Sequence, residues 1–140
     1  MTRDEMSEKL LECFPKSFIN YRGEFIAHKK SNTYLLFDKC QTFQDLQAAV
    51  IEWFSRSAFK TAPYYTDTAN ARFHSFMLKG INQLCGTTFT EVDMELIYTY
   101  LGNAVHHSLA IEFVEKGFDL EILRAYARSK DPAICARWGA

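Results

Sequence analysis

The stretch that decides the fold spans residues 90–117 and reads TEVDMELIYTYLGNAVHHSLAIEFVEKG. Thr90 is a typical N-cap, and Gly117 suits the left-handed residue that ends many helices. Apolar residues recur at helical spacing along one side, at Met94, Ile97, Leu101, Val105 and Leu109. The opposite side carries a second apolar set, at Leu96, Tyr100, Ala104, Ile111 and Val114. The pattern predicts one long helix that runs through a core or lies in an interface.

The segments around this stretch predict a small sheet and four shorter helices. Apolar spacing followed by Pro15 predicts an N-terminal helix over residues 4–14. Alternating runs separated by turn residues predict three antiparallel strands, over residues 18–21, 24–29 and 33–37. We expect part of the buried surface of this sheet to come from Phe25, Ala27, Tyr34 and Phe37. Helical periodicity with capping residues predicts three further helices, over residues 42–60, 68–84 and 119–131.

The order of these elements, with strands first and helices after, favours an α+β fold over a parallel sheet with crossover helices. The chain has 140 residues, of which 48% are hydrophobic, and this is enough apolar surface for one core. We therefore predict a single domain: an N-terminal helix, a small three-stranded antiparallel sheet, and a helical bundle around one long central helix. These parts cover residues 1–15, 18–38 and 42–130, and residues 131–140 form a tail.

Two kinds of local signal sharpen these predictions. Thr42 with Asp45, and Thr90 with Asp93, have the spacing of reciprocal capping pairs at a helix start. Gly80 falls in the middle of the helix predicted over residues 68–84. A glycine there costs about 1 kcal/mol relative to alanine, unless close packing of helices requires it.

The distribution of charge bounds the location and the kinds of partner. The net charge of −1 gives no global electrostatic reason to bind nucleic acid, and the first nine residues lack the apolar run of a secretory signal. No stretch is long and apolar enough to span a membrane, so we expect a cytoplasmic protein that does not act at a membrane. Locally the charge is uneven, because residues 80–115 carry five acids and no Lys or Arg.

The four cysteines, Cys13, Cys40, Cys85 and Cys135, are widely scattered and form neither a C-x-x-C motif nor zinc-finger spacing. We interpret them as free, mostly buried thiols in a reducing compartment. A zinc site assembled from distant Cys and His residues is one alternative, and disulfides are the other. We predict no metal site and no cofactor.

The most suggestive candidate binding surface lies where the helix predicted over residues 42–60 connects to the helix predicted over residues 68–84. Bases, tyrosines and polar side chains are mixed there: Arg56, Lys60, Tyr64, Tyr65, Asn70, Arg72 and His74. Tyr and Arg are enriched at the energetic centres of protein interfaces, so we interpret this set as a protein-binding surface. The same mixture can bind phosphates and stack on bases, which leaves a nucleotide or nucleic-acid surface open. The third alternative is a packed corner with solvated charges.

The start of the predicted long helix is a second candidate, because three acids lie there: Glu91, Asp93 and Glu95. Acids at this position usually complement the positive end of the helix dipole. An acidic cluster without a nearby base can instead imitate a nucleic-acid backbone and occupy a basic cleft. Charge complementarity would then speed the encounter.

A row of polar side chains on the same predicted helix is a third candidate, at Tyr100, Asn103 and His107. Such a row could orient an imidazole for acid–base catalysis, although a histidine hydrogen-bonded to a neighbouring helix is the more ordinary reading. The sequence has no Gly-rich phosphate loop, no nucleophile elbow and no H-E-x-x-H motif. We therefore predict a non-enzymatic protein and keep a small enzyme built on this row as the alternative.

Three stretches carry a resemblance to a known group of proteins: IEWFSRSAFK at residues 51–60, ANARFHSFM at residues 69–77 and DMELIYTYLGN at residues 93–103. In these the chain resembles small uncharacterised proteins of phages and mobile elements of Gram-positive gut bacteria. The resemblance implies an accessory protein that binds a host protein, such as an inhibitor of an antiviral defence complex of the anti-CRISPR kind. It includes no catalytic motif, so it assigns no functional residue.

The predicted partner is accordingly a protein surface. It belongs either to a host protein or to a second copy of this chain, since a helix that is apolar on two sides has one side available for a homodimer. Nucleic acid is the less favoured partner.

Overall fold

The computed structural model describes residues 1–20, 22–28, 33–56, 68–101 and 107–130. Only the backbone is described at residues 27, 28, 33, 34, 56, 68–74, 98, 99 and 107. Within these ranges the chain forms six helices and three strands: α1 (Arg3–Cys13), β1 (Phe18–Ile19), β2 (Glu24–His28), β3 (Thr33–Leu36), α2 (Phe43–Arg56), α3 (Thr68–Cys85), α4 (Glu91–Leu101), α5 (His107–Glu115) and α6 (Leu120–Lys130). The predicted α+β fold, with its N-terminal helix, antiparallel sheet and later helices, is confirmed.

The sheet is antiparallel in the order β1-β2-β3, and its register sets which face is buried. Ile19, Phe25 and Leu35 lie opposite one another across the three strands. Phe25 and Leu35 are buried, as is Phe37 just beyond β3. Burial of Phe25 and Phe37 was predicted and that of Leu35 was not. Ala27 and Tyr34, which were also predicted, have side chains outside the described part of the structure.

The predicted capping pairs at two helix starts are confirmed. The backbone N–H of Asp45 donates to the Thr42 hydroxyl at 3.0 Å, and the Asp45 carboxylate accepts from the Thr42 N–H at 3.0 Å. Asp93 and Thr90 make the same exchange at 3.3 and 2.9 Å. The backbone N–H of Gln41 also donates to the Asp45 carboxylate. These hydrogen bonds stabilise the charged form and hold the pKa of Asp45 below its ordinary value, and the bond from Gln41 has the largest effect.

The prediction of one continuous helix over residues 90–117 is wrong. α4 ends at Leu101 and α5 begins at His107, and residues 102–106 lie outside the description. Cα atoms of α4 and α5 approach within 8 Å although at least six positions separate them. A continuous helix rises about 1.5 Å per residue and would keep them at least about 9 Å apart. The chain therefore turns back between the two helices.

The turn suits the size of the domain. A straight helix over residues 90–117 would be about 42 Å long, whereas a compact domain of this length is roughly 37 Å across. The ends of such a helix would extend beyond the core and leave part of its two apolar sides uncovered. Two shorter helices solve the problem, since α4 and α5 both pack on α2 and both contact α6.

The central helix of the bundle is thus α2, which also packs on α3 and on β3. Its one described buried polar side chain shows how closely α4 approaches. The Ser55 hydroxyl donates to the Ile51 carbonyl of its own helix at 2.9 Å and lies 3.5 Å from the Ile97 carbonyl of α4. On another side of α2, the Trp53 ring meets Phe25 edge-on, with the two ring centroids 5.5 Å apart. This contact joins the bundle to the sheet.

Phe14 joins α1, the sheet and α3, and it explains the glycine inside α3. The fully buried ring of Phe14 lies 5.4 Å from that of Phe25 and 5.7 Å from that of Phe76. A Cβ placed on Gly80 would lie 2.0 Å from a ring carbon of Phe14. Close packing therefore requires a residue without a side chain at Gly80, as its position within the helix suggested.

We predict that Gly80→Ala destabilises the protein even though alanine is the better helix former. Helix propensity alone would favour alanine by about 1 kcal/mol. The buried Phe14 ring must move to admit the methyl group, and overpacking of this kind costs about 1–3 kcal/mol. Urea denaturation should show a lower free energy of unfolding for this variant. Gln83→Ala, at an exposed position of the same helix, is the control and should change it by less than about 0.5 kcal/mol. Equal stability of the two variants would contradict the packing argument.

Candidate functional site

None of the seven side chains in the surface predicted between Arg56 and His74 belongs to the described part of the structure. Arg56 is the last residue of α2, and Asn70, Arg72 and His74 lie in the first two turns of α3, all with only their backbone described. Lys60, Tyr64 and Tyr65 lie outside the described residues. The binding role of this set stays a prediction.

The hypothesis of a catalytic Tyr100–Asn103–His107 row loses its geometric basis. It placed the three side chains along one face of an unbroken helix, and the chain instead turns back between α4 and α5. The Tyr100 ring is buried and meets the ring of Tyr126 edge-on at 5.4 Å, which is a core contact between α4 and α6. Asn103 lies outside the described residues, and His107 is the first residue of α5.

A cleft lies where two tight connections of the bundle meet. It has a volume of about 330 Å³ and is lined by residues 86–89, Asp93, residues 118–120 and Arg124. The first connection joins α3 to α4 and the second joins α5 to α6. Glycine stops and N-caps mark both connections in the sequence, but only the packing of α4 against α6 brings the two together.

The α3–α4 wall of the cleft is fixed by one asparagine. α3 ends at Cys85, Gly86 follows with a φ of +66°, and the backbone N–H of Thr87 donates to the Asn82 carbonyl at 3.0 Å. The Asn82 side-chain amide donates to the Phe89 carbonyl at 3.0 Å. Its oxygen accepts from the Phe89 N–H and from the Thr87 hydroxyl, both at 2.8 Å. This wall is therefore held rigidly before any ligand arrives.

In the α5–α6 wall of the cleft, helix α5 ends in a Schellman motif. Gly117, with a φ of +78°, donates to the Val114 carbonyl at 3.1 Å, and Phe118 donates to the Phe113 carbonyl at 2.8 Å. The Phe118 ring meets that of Phe113 edge-on at 5.8 Å, which is the apolar contact typical of the motif. The predicted stop at Gly117 is thereby confirmed. Phe118 itself has a φ of +62°, a conformation that costs a non-glycine residue about 1–2 kcal/mol.

Two carboxylates and one guanidinium give the cleft its polar character. Arg124 of α6 lies 3.9 Å from Asp93 of α4, in a partly exposed pair whose side chains are 30% and 18% exposed. Asp119 caps α6 by accepting from the backbone N–H of Glu121 at 3.0 Å. Each aspartate therefore serves its own helix start and also faces the cleft.

Two acids from separate segments line the cleft, Asp93 and Asp119, and further acids lie near them in the sequence. Residues 80–124 contain seven acids and only two bases, Lys116 and Arg124, which is a net charge of −5 in a chain whose total is −1. The Phe89 and Phe113 rings stack at 6.1 Å, which brings the end of α5 beside the start of α4. The acids of residues 91–95 and those of residues 112–121 thus share one end of the molecule, which we call the acidic end. The sequence marked only the first group as a candidate.

The described thiols are free, in agreement with the prediction for Cys13, Cys40 and Cys85, whereas Cys135 lies outside the described residues. Burial is the largest influence on all three and raises the pKa of each above its ordinary value of 9.0. The pKa of Cys85 rises furthest, to about 12. Such thiols are poor nucleophiles, because the thiolate is the reactive form.

Comparisons with protein-family models, with curated proteins and with solved structures found no match to the chain. Among the residues that the structure describes, no group of three or more His, Cys, Asp or Glu side chains could hold a metal ion. No helix in the same part of the chain has both the length and the apolar character needed to cross a membrane.

We predict that Asn82→Ala loosens the wall of the cleft. It removes three hydrogen bonds and leaves the partly buried groups of Phe89 without their partner, which should lower the free energy of unfolding by about 1–3 kcal/mol. Hydrogen exchange of the Phe89 amide should also be faster. Asn82→Asp keeps an accepting oxygen but places a carboxylate oxygen against the Phe89 carbonyl in place of the donor, so it should not restore the stability of the original chain. Unchanged exchange at Phe89 in the alanine variant would show that Asn82 does not hold this wall.

We also predict that Cys85 is slow to alkylate in the folded chain. A rise in pKa from 9.0 to about 12 lowers the thiolate fraction near neutral pH about a thousandfold, because the raised value favours the protonated form. Iodoacetamide labelling followed by peptide mass spectrometry measures the rate for each cysteine. The same chain in urea is the control, and labelling of Cys85 at its unfolded rate in the folded chain would contradict the prediction.

Proposed function

We propose that this chain is a non-enzymatic binding protein of the bacterial cytoplasm whose acidic end engages a basic surface on a partner protein. The observation that carries the proposal is the separation of charge. Seven acids and two bases lie within residues 80–124, so the remainder of the chain has a net charge of +4. A surface with such an excess of acids attracts a basic partner and speeds its association.

The composition of the acidic end supports a contact surface. Val92 is 51% exposed beside Glu91, and Ile111 is 38% exposed beside Glu112. Exposed apolar side chains gain free energy when a partner covers them, and the charges around them set the register of the contact. The rigid connections on either side of the cleft reduce the entropy that binding would cost.

The kind of partner follows from the chemistry of the surface together with the resemblance to small phage proteins. Carboxylates on rigid helix starts can imitate the phosphates of a nucleic acid, so the fitting partner is a host protein with a basic nucleic-acid channel. A defence complex that binds nucleic acid has such a channel, and an inhibitor of the anti-CRISPR kind would occupy it. The Arg56–His74 set would then serve as a second contact or as the surface between two copies of the chain.

The alternative function is the binding of nucleotides or nucleic acid. It is supported by the net charge of +4 outside residues 80–124 and by three bases in the predicted surface, Arg56, Lys60 and Arg72. Binding of that kind weakens steeply with salt, because it releases counterions. Filter binding across a salt series separates the two functions. Retention of a single-stranded oligonucleotide at low salt supports the alternative, and its absence eliminates it.

We predict that neutralising the acidic end abolishes partner capture without unfolding the chain. The test variant carries Glu91→Gln, Glu112→Gln and Glu115→Gln, all at exposed positions. The matched control carries Asp4→Asn, Glu8→Gln and Asp38→Asn, which are exposed positions with the same change in charge. Immobilised chains are incubated with nuclease-treated lysate of a Gram-positive bacterium, and captured proteins are quantified by mass spectrometry.

A basic, nucleic-acid-binding protein should be captured by the original chain and by the control. The test variant should lose at least about 90% of it, a tenfold loss in affinity. Raising the salt concentration should also weaken capture, since the contact is electrostatic. Equal capture by all three chains, or equal loss in both variants, would refute the proposed surface.

A further inference from the structure

We infer that the cleft at the acidic end accepts one arginine side chain of the partner, with its guanidinium between Asp93 and Asp119. The inference rests on the proposed function and adds the chemical group that is recognised. It is carried by the cleft as a whole: its size, its apolar walls, its two carboxylates and its rigid frame.

The size of the cleft limits the occupant. A volume of about 330 Å³ is at the small end of the range for ligand sites, about 300–1,000 Å³. It has room for a single long side chain, and because it opens broadly to the surface the backbone of the partner can stay outside it. The two connections that frame it are held by the Asn82 hydrogen bonds and by the motif at Gly117, so the volume exists before binding.

The lining combines an apolar part with a negative one. Phe89, Phe118 and Leu120 supply the apolar part, and Asp93 and Asp119 supply the carboxylates. A side chain that matches both has an apolar stem and a cationic head, as lysine and arginine have. Arginine is the better match, because its planar fork can donate to two carboxylates at once.

An anion fits the cleft less well. The starts of α4 and α6 would attract one, but their caps already satisfy amides there, with Thr90 donating to Asp93 and Glu121 donating to Asp119. Arg124 is the one cation in the lining, and it lies 3.9 Å from Asp93. A partly exposed pair at this distance is worth roughly 0–1 kcal/mol, so Asp93 loses little when it also accepts from an incoming guanidinium.

The test is a titration of the full, isotope-labelled chain with a short peptide, acetyl-Gly-Arg-Gly-amide. Binding is measured from the changes in the NMR chemical shifts of the backbone amides. The control peptide has citrulline in place of arginine, which keeps the shape and removes the charge. Inorganic phosphate is the third probe. We expect saturable shifts at residues 86–89 and 118–120 with the arginine peptide, in the millimolar range for so small a ligand, and at least about tenfold weaker binding of the citrulline peptide.

Two variants locate the binding. Asp93→Asn with Asp119→Asn removes both charges and keeps oxygens able to cap the helices, since Asn caps about as well as Asp. This variant should bind the arginine peptide at least about tenfold more weakly. Asp38→Asn removes an exposed acid outside the acidic end that does not line the cleft, and it should leave binding unchanged. If the double variant fails to fold, the comparison of the two peptides on the original chain still decides.

The outcomes separate this inference from the proposed function. Equal binding of the arginine and citrulline peptides, shifts spread over the acidic end without saturation, or saturable shifts with phosphate alone would each overturn the arginine site. The titration needs no lysate partner. If the titration fails but partner capture succeeds, the arginine site is wrong and the proposed binding role of the acidic end stands. If the titration succeeds but capture fails, the arginine site stands and the broader binding surface is wrong.

Discussion

The structure depends on covering two apolar sides of one segment within a domain too short to hold it as a straight rod. α4 and α5 meet this constraint by turning back and packing together on α2. The approach is close: the hydroxyl of Ser55 on α2 lies within 3.5 Å of a carbonyl of α4. A larger side chain at Ser55 would push the two helices apart and uncover Ile97 and its neighbours. The buried rings of Phe14 and Phe25 then attach α1 and the sheet to the same core.

The same constraint produces the candidate site. Because α5 returns beside α4, its C-terminal turn comes next to the start of α4, and the following connection delivers the start of α6. Two helix starts and two glycine stops therefore meet at one end of the bundle. These stops and caps hold the backbone rigidly, so a cleft can remain open between them. Stability and recognition share the same residues, as Asp93 and Asp119 cap their helices and also face the cleft.

Acids gathered at one end repel one another, and the fold reduces this cost by where it places several of them. Glu91, Asp93, Asp119 and Glu121 lie at or within the first turn of a helix, where the dipole is positive and favours a carboxylate by about 0.3–1 kcal/mol. The arrangement is therefore tolerable in the folded chain while it remains strongly negative toward a partner. Arg124 offsets part of the charge near Asp93 through a pair weak enough to exchange.

The sequence by itself determined most of the elements, their order and several of their ends, because these follow from local chemistry, but it did not divide residues 90–117 into two helices. Reciprocal caps at Thr42 and Thr90, the stop at Gly117 and the alternation in the sheet all act within a few residues. The need for a glycine at Gly80 could also be suspected, although its partner Phe14 could not be named. Only the tertiary structure decided that residues 90–117 turn back, that α2 is the centre, and that the acids of 91–95 meet those of 112–121. Apolar periodicity predicts which sides of a helix are buried, but it does not predict which other elements pack against those sides. That choice depends on how all the elements share one small core, and the cleft exists only as a result of it.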